Sequence, residues 1–136
     1  MDRILIVDDE FLIRYTLEEG LKDRGYDAYS AATVEEGLEF VRKYHPGVLL
    51  LDNLLENSVG MDEIVNFKNA DEELQVIMMT AYGSVSQAVE ATKRGAYDYI
   101  LKPFDVDEID MLIKRCLEQK RNRDSLVFLK GDVPQF

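Results

Sequence analysis

Three aspartates directly follow two apolar runs of the chain. Asp52 follows the run at residues 48–51, and Asp8 and Asp9 follow the run at residues 4–7. Short runs without a polar residue are typical of strands that are buried on both faces of a parallel sheet. Open sheets of this kind place their chemistry at the carboxyl ends of the strands. We therefore take Asp52 as the candidate site of reaction.

The three carboxylates together predict a metal site. Two carboxylates about 4 Å apart repel each other by roughly 4 kcal/mol at an effective dielectric constant near 20. A cluster of three therefore needs a cation or raised pKa values. Oxygen ligands without histidine or cysteine favour Mg²⁺ or Mn²⁺ over zinc. The simpler interpretation is that Asp8 and Asp9 only cap the following helix, since aspartate is a good N-cap residue.

Two further predicted strands end in Thr80 and Lys102, which should lie at the same edge of the sheet. A hydroxyl group and an ammonium group beside a metal-bound carboxylate describe a site for a phosphoryl group. Aspartate can act as a nucleophile and form an acyl phosphate, while Mg²⁺ and lysine neutralise the oxygens of the transferring group. Taken singly, Thr80 could be a turn residue and Lys102 a solvated strand end.

The elements that must position these residues alternate between strand and helix patterns. This alternation predicts an α/β fold, a doubly wound five-stranded parallel sheet with five helices. The first, third and fourth strands are apolar throughout and should be central, whereas those near residues 26–31 and 97–100 alternate and should lie at the edges. The order 2-1-3-4-5 fits, and its switch point lies between strands one and three. Helices are expected to open at capping boxes beginning at Thr33 and Ser84, and a short helix is expected at residues 61–67.

The composition bounds the function further. A chain of 136 residues is one domain with at most a short tail. Its formal net charge of −11 argues against direct binding of nucleic acid. No run approaches the ~20 apolar residues of a membrane span. The single Cys116 and the single His45 exclude a zinc cluster, and a cytoplasmic location is expected.

The sequence resembles a response-regulator receiver domain of bacterial two-component systems. The resemblance covers about residues 3 to 121 and rests on four motifs in order: ILIVDDE at 4–10, LLLD at 49–52, MTAYG at 79–83 and GAYDYILKPF at 95–104. The last two are similar to the receivers of NtrC-type, sigma-54-dependent transcription activators. The resemblance implies a flavodoxin-like receiver fold at residues 1–121, with residues 122–136 as a C-terminal tail or the start of a linker.

The resemblance also implies roles for the site residues. Asp52 would accept a phosphoryl group from the phosphohistidine of a histidine kinase. Asp9 and Asp52 would ligate Mg²⁺ directly, together with the backbone carbonyl of Leu54, while Asp8 would contribute through water. Thr80 would hold the phosphoryl oxygens together with the lysine named above.

The signal would leave the site through Tyr99, which matches the family's switch aromatic. It would turn inward when Thr80 moves toward the phosphoryl group, although it could also be an amphipathic residue of an edge strand. The peptide bond between Lys102 and Pro103 would be cis. Phosphorylation would favour a homodimer or effector contact through the face of the fourth helix, fifth strand and fifth helix, with candidate residues Val89, Lys93, Tyr99 and Lys114.

One stretch departs from the family pattern. The loop between Asn53 and Gly60 is longer than usual, and Glu56 stands where receivers usually have a proline. Metal affinity, phosphorylation rate or partner choice could differ as a result. Leu54 and Tyr82 flank the expected path of an attacking water, and their bulk predicts slow self-hydrolysis of the acyl phosphate.

Two other functions compete with this interpretation. A receiver-like module could bind a partner without ever being phosphorylated. A true phosphatase or phosphotransferase would turn over substrate at Asp52, but such enzymes place a second aspartate two residues later as general acid, and Leu54 stands there. We therefore expect no enzyme activity beyond the protein's own phosphorylation and dephosphorylation. The effector is expected outside this chain, and the apolar run at 126–129 could be core, dimer contact or linker.

Overall fold

The computed structural model describes residues 2–55, 57–81 and 85–132, with side chains described as far as Arg123. Within these ranges, strands and helices alternate along the chain. The strands are β1 (Arg3–Val7), β2 (Asp27–Ala31), β3 (Val48–Asp52), β4 (Gln75–Thr80) and β5 (Asp98–Leu101). The helices are α1 (Phe11–Asp23), α2 (Val34–Tyr44), α3 (Gly60–Ala70), α4 (Val85–Lys93) and α5 (Val106–Asp132).

The strands form one parallel sheet in the order β2-β1-β3-β4-β5, which confirms the predicted topology. Every residue of β3 is buried, and so are the last four of β1 and the last five of β4. The edge strands β2 and β5 are only partly buried. Apolar runs therefore identified the central strands, because only a central strand needs apolar side chains on both faces.

The two faces of the sheet are covered by different helices. Ile6 and Leu50 face α1 and α5, while Leu5 and Leu49 face the side of α2 and α3. Side chains alternate between faces along a strand, so each central strand contributes to both cores. A fully buried leucine or isoleucine contributes roughly 1.5–3 kcal/mol to stability. The central strands are therefore held rigidly, and so are the polar side chains at their ends.

Two predicted helix starts can be compared with the structure. Thr33 is the N-cap of α2, and its Oγ1 accepts a hydrogen bond from the backbone N–H of Glu36 at 3.2 Å. This confirms the first capping box as a helix start. Ser84, which opens the second, lies outside the described residues. His45 follows α2 as an exposed C-cap residue in the left-handed conformation, with φ 48°.

Helix α3 is longer than predicted, and α5 continues past the predicted domain boundary. The prediction of 61–67 for the short helix was too short at both ends, because α3 spans Gly60–Ala70. Helix α5 continues to Asp132 without a backbone break at residue 121, and Arg123 pairs with Glu73 at 2.9 Å. The boundary between a domain at 1–121 and a tail at 122–136 stays a prediction. The side chains of the apolar run at 126–129 lie outside the described part of the chain.

Across the described ranges, the structure contains no helix with the length and apolar character needed to cross a membrane.

Candidate functional site

The carboxyl ends of the strands bring the predicted polar residues to one edge of the sheet. Asp8 directly follows β1, Asp52 ends β3, Thr80 ends β4 and Lys102 directly follows β5. Strands β1 and β3 are neighbours, with Val7 opposite Leu51. The two carboxylates therefore flank the switch point of the fold, where ligands of open α/β sheets bind.

Lys102 joins the two carboxylates across the sheet. Its Nζ lies 3.1 Å from Asp8 Oδ2 and 3.2 Å from Asp52 Oδ1. The side chains of Asp8 and Asp52 are 0% and 6% exposed, and that of Lys102 is 16% exposed. A lysine ammonium shared by two buried carboxylates leaves one negative charge uncompensated. The predicted convergence of Asp8, Asp52 and Lys102 is thus what the structure shows.

The electrostatics of this group favour an additional cation. Burial, and then the charge of Asp8, raise the pKa of Asp52 to about 6, although Lys102 and the backbone N–H of Leu54 oppose the rise. Burial alone would lower the pKa of Lys102, but its bonds to Asp8 and Asp52 raise it on balance. At neutral pH, Asp52 is therefore mainly ionised at an energetic cost that a divalent cation would relieve.

A turn of three acidic residues follows β1. Ligand oxygens of Asp8, Asp9 and Glu10 all lie within 4.8 Å of one another. The N-cap of α1 is Glu10, and its side chain makes no capping bond. Instead, the backbone N–H of Glu10 donates to Asp8 Oδ1 at 2.9 Å. Arg14 Nη1 donates to the Asp8 carbonyl at 2.7 Å. The interpretation of Asp8 as a helix cap is therefore wrong.

The oxygen atoms of this turn fit a hard divalent cation. Carboxylate oxygens are the ligands that Mg²⁺ prefers, and the site offers no histidine or thiol that would favour zinc. Sequence reasoning missed Glu10 as a member of the acidic turn. The signal was present, because Glu10 directly follows the two predicted ligands and belongs to the same motif, but it was given no role.

The described residues between β3 and α3 bring the two ends of this segment together. Leu54 and Val59 make an antiparallel bridge, and the backbone N–H of Leu55 donates to the carbonyl of Ser58 at 3.0 Å. Leu54, two residues after Asp52, is 54% exposed, and slow self-hydrolysis of the acyl phosphate stays a prediction. Tyr82 and Glu56, which the sequence also singled out here, lie outside the described residues.

Thr80 and Tyr99 lie together on the α4 side of the site. Thr80 is buried, and its carbonyl accepts a hydrogen bond from the backbone N–H of Lys102 at 2.8 Å. Tyr99 is half-buried on β5 and contacts the core beneath α3 and α4. Both residues line a narrow cleft that also includes Asn53 and Gln87. The peptide bond between Lys102 and Pro103 is cis.

An apolar cavity of about 690 Å³ opens beside Lys102. Helix α1 forms one wall through Leu12 and Ile13, and the segment between β5 and α5 forms the other through Phe104 and Val106. Leu12 is 73% exposed, and the neighbouring Phe11 and Tyr15, whose rings stack, are exposed too. Sequence periodicity did not reveal this surface, because a single exposed leucine on a helix looks like a surface position.

A sheet order of 2-1-3-4-5 with carboxylates and a lysine at its carboxyl edge defines the CheY-like receiver class. A response-regulator receiver domain of this class from Methanospirillum hungatei JF-1 superposes with a TM-score of 0.85 at 29% identity, over 90% of this chain and 98% of that one. Residues 4–114 match the family described as response regulator receiver domain, and the chain belongs to that family.

Some relatives are about as long as this chain, and others are longer proteins of which the chain spans only a part. Sporulation initiation phosphotransferase F of Bacillus subtilis (strain 168) is 38% identical over 121 residues, which are 89% of this chain and 98% of that protein. The beryllofluoride-activated NtrC4 receiver domain dimer has a TM-score of 0.83 at 34% identity, over 88% of this chain and 99% of that one. The chain spans 26% to 50% of the length of seven further curated relatives.

Membership of the family establishes the general function. The chain is a receiver of two-component response regulators, a signalling domain of the kind that phosphorylation controls. Domains of this family bind Mg²⁺ at an acidic pocket and work with histidine kinases and effector domains, and this chain has the aspartate cluster for such a pocket. The similarity of the chain to the NtrC4 receiver domain is consistent with the resemblance to NtrC-type receivers that the sequence motifs indicated.

Proposed function

We propose that Asp52 accepts a phosphoryl group from the phosphohistidine of a histidine kinase. The observation that supports this most directly is the ammonium of Lys102 held between Asp8 and Asp52. Asp52 is mainly ionised at neutral pH, because its pKa is about 6. A carboxylate oxygen attacks phosphorus, a P–O bond forms, the P–N bond breaks, and the histidine imidazole leaves and takes up a proton from solvent.

Three side chains would prepare this transfer. Lys102 supplies a positive charge next to the attacking carboxylate, where oxygens of the transferring group gather negative charge. Asp8, which is fully buried, keeps that ammonium in place. Thr80 ends the adjacent strand, and its hydroxyl would bind a phosphoryl oxygen.

The carboxylates of Asp8, Asp9 and Asp52 and the carbonyl of Leu54 would hold Mg²⁺ or Mn²⁺, with Asp8 contributing through water. Bound there, the ion would neutralise charge on the transferring group. The all-oxygen donor set of the acidic turn and the raised pKa of Asp52 support this assignment. Glu10 lies close enough to Asp8 and Asp9 to join the ligand set.

The kinase would dock on α1 and the β5–α5 segment. The apolar cavity of about 690 Å³ there includes Lys102 in its lining, so an occupant would lie next to the site. Leu12 stands exposed at its rim, with Phe11 and Tyr15 beside it. A surface of this kind suits an amphipathic kinase helix that presents its phosphohistidine toward Asp52.

The added phosphoryl group brings about −1.5 to −2 charges and would be sensed by Thr80 and Tyr99. These two residues line one cleft, which reaches α4 through Gln87. The output face would be α4, β5 and α5, where Val89 and Leu101 are exposed. The similar NtrC4 receiver domain is a dimer when activated by beryllofluoride, and this supports homodimerisation of the present chain.

The output is proposed to be regulation of transcription through an effector domain outside this chain, in the cytoplasm. No turnover of external substrates is proposed, because Leu54 occupies the place of the general acid that such enzymes use.

Phosphotransfer profiling tests the proposal. Purified, radiolabelled histidine kinases are mixed with the wild type and with Asp52→Asn, and label on the receiver is followed over time. Rapid transfer from one kinase to the wild type, with none to the variant, is expected. Failure of every kinase and of small-molecule phosphodonors to label the wild type would instead favour a receiver-like binding module.

A further inference from the structure

The residue after the proposed phosphoacceptor is anchored at three atoms. The backbone N–H of Asn53 donates to the carbonyl of Met79 on β4 at 2.9 Å. Its own carbonyl accepts from the N–H of Gly60 at 2.7 Å. Its side-chain Oδ1 accepts from the N–H of Met61 at 3.0 Å. Asn53 therefore connects the end of β3 both to the neighbouring strand and to the start of α3.

The bond to Met61 replaces a normal helix cap. The first N–H groups of a helix have no partner within it and need a side-chain acceptor. Val59 occupies the N-cap position of α3 and offers none. Asn53 supplies that acceptor from the far end of the loop, and so it joins loop closure to helix capping.

Gly60 brings the start of α3 unusually close to the acceptor. A Cβ atom at this position would lie 2.1 Å from the carbonyl oxygen of Asp52 and 3.0 Å from Asn53 Cα. Only glycine permits this approach. The first turn of α3 thus packs directly against the backbone of Asp52. The hydrogen bond from Met61 to the side chain of Asn53 fixes it in this position.

We propose that Asn53 is a positioning residue for the phosphoacceptor site. By tying the two ends of the loop together, it holds the start of α3 against the end of β3, where Asp52 and Leu54 flank it in the chain. The bridge between Leu54 and Val59 lies directly outside this anchor. This inference rests on the proposed function of Asp52.

The test compares two sets of variants in the full chain. Asn53→Ala removes the acceptor, Asn53→Asp retains it, and Asn53→Ser shortens the side chain by one bond. Asn57→Ala and Ser58→Ala change the hairpin outside the anchor and serve as matched controls. All are measured without metal by amide hydrogen exchange, and with Mg²⁺ by the rate of phosphorylation from acetyl phosphate.

Without metal, Asn53→Ala should exchange the amides of Gly60 and Met61, which both donate to Asn53, about five-fold faster or more, as expected for loss of one hydrogen bond. Asn53→Asp should retain protection, and the hairpin controls should match the wild type. With metal, Asn53→Ala should need about five-fold more Mg²⁺ for half-maximal phosphorylation, while its rate at saturating Mg²⁺ stays near the wild-type value.

Two results would overturn the proposal. One is unchanged exchange at Gly60 and Met61 in Asn53→Ala, and the other is that the controls Asn57→Ala and Ser58→Ala raise the Mg²⁺ requirement as much as Asn53→Ala does. If Asn53→Ala does not fold, Asn53→Ser against Asn53→Asp decides by the same criteria. If the wild type is not phosphorylated at all, the proposed function of Asp52 fails, while the exchange measurements still decide whether Asn53 holds the start of α3 against the end of β3.

Discussion

The raised pKa of Asp52 predicts that its ionised carboxylate lowers the free energy of unfolding of the wild type at neutral pH. Neutralising Asp52 by Asp52→Asn should therefore stabilise the metal-free protein at neutral pH. The pKa of about 6 lies about two above the ordinary value, and each pKa unit corresponds to about 1.4 kcal/mol. The expected gain at pH 7 to 8 is about 2 to 3 kcal/mol, and this figure already allows for loss of the Lys102 contact, because Lys102 lowers the pKa from which it is taken.

The sign of the pH dependence follows from linkage. A carboxyl whose pKa is higher in the folded than in the unfolded protein binds more protons in the folded state between about pH 4 and pH 6. The contribution of Asp52 to stability is favourable below this window and falls as the pH rises through it. The difference between variant and wild type should therefore grow from about pH 4 to pH 6 and stay level above.

Urea unfolding in the presence of EDTA, at half-unit steps from pH 4.5 to pH 8, measures this difference. Glu39→Gln is the matched control, because it removes one negative charge from an exposed position on α2. Mg²⁺ should then stabilise the wild type and narrow the difference, since a ligand that binds only the folded state stabilises it. An Asp52→Asn variant no more stable than the wild type at pH 7, or a difference independent of pH, would refute the reasoning.

Three further predictions concern the surroundings of the site. Gly60→Ala should destabilise the protein by about 2 kcal/mol or more, because the new Cβ would meet the Asp52 carbonyl; urea unfolding beside Gly47→Ala, where the nearest atom would lie 3.6 Å from the new Cβ, separates the clash from the general effect of replacing glycine by alanine. Leu12→Asp should slow transfer from the cognate kinase at least ten-fold while phosphorylation by acetyl phosphate stays normal, and equal slowing of both would contradict docking on α1. Beryllofluoride with Mg²⁺ should double the sedimenting mass of the wild type but not of Val89→Asp; an unchanged wild-type mass would contradict the dimer.

Much of the fold could be predicted because burial leaves a direct trace in the sequence. The runs that became β1, β3 and β4 are apolar on both faces, and a strand of that kind has few places in a sheet other than the centre. Once those strands are parallel neighbours, Asp8 and Asp52 must share an edge. Their convergence with Lys102 therefore follows from topology.

The extent of α5 could not be predicted from its apolar stripe. That stripe ends at Leu117, and residues 118–123 are polar, so periodicity gave no reason to extend the helix. The helix continues because glutamate, glutamine, lysine and arginine favour helix even without packing. Arg123 also forms a salt bridge with Glu73, and no local sequence pattern predicts this long-range contact.

The contacts between the two ends of the segment that joins β3 to α3 could not be predicted from the sequence either. The sequence showed that the loop is long, which suggested a disturbed site. In the structure, Asn53 caps a helix that starts seven residues later, with Gly60 seated against Asp52. Contacts of this kind depend on how the chain turns back on itself, and neither residue type nor spacing reveals the direction of that turn.

Phosphorylation of Asp52 is the central claim, and intact-mass spectrometry tests it most directly. Wild type, Asp52→Asn and Lys102→Ala are incubated with acetyl phosphate in Mg²⁺ or in EDTA, and peptide mapping locates any added group. We predict one phosphoryl group on wild-type Asp52 in Mg²⁺, none in EDTA, none on Asp52→Asn, and a markedly slower reaction for Lys102→Ala. Equal labelling of Asp52→Asn, or no labelling of the wild type, would contradict the account.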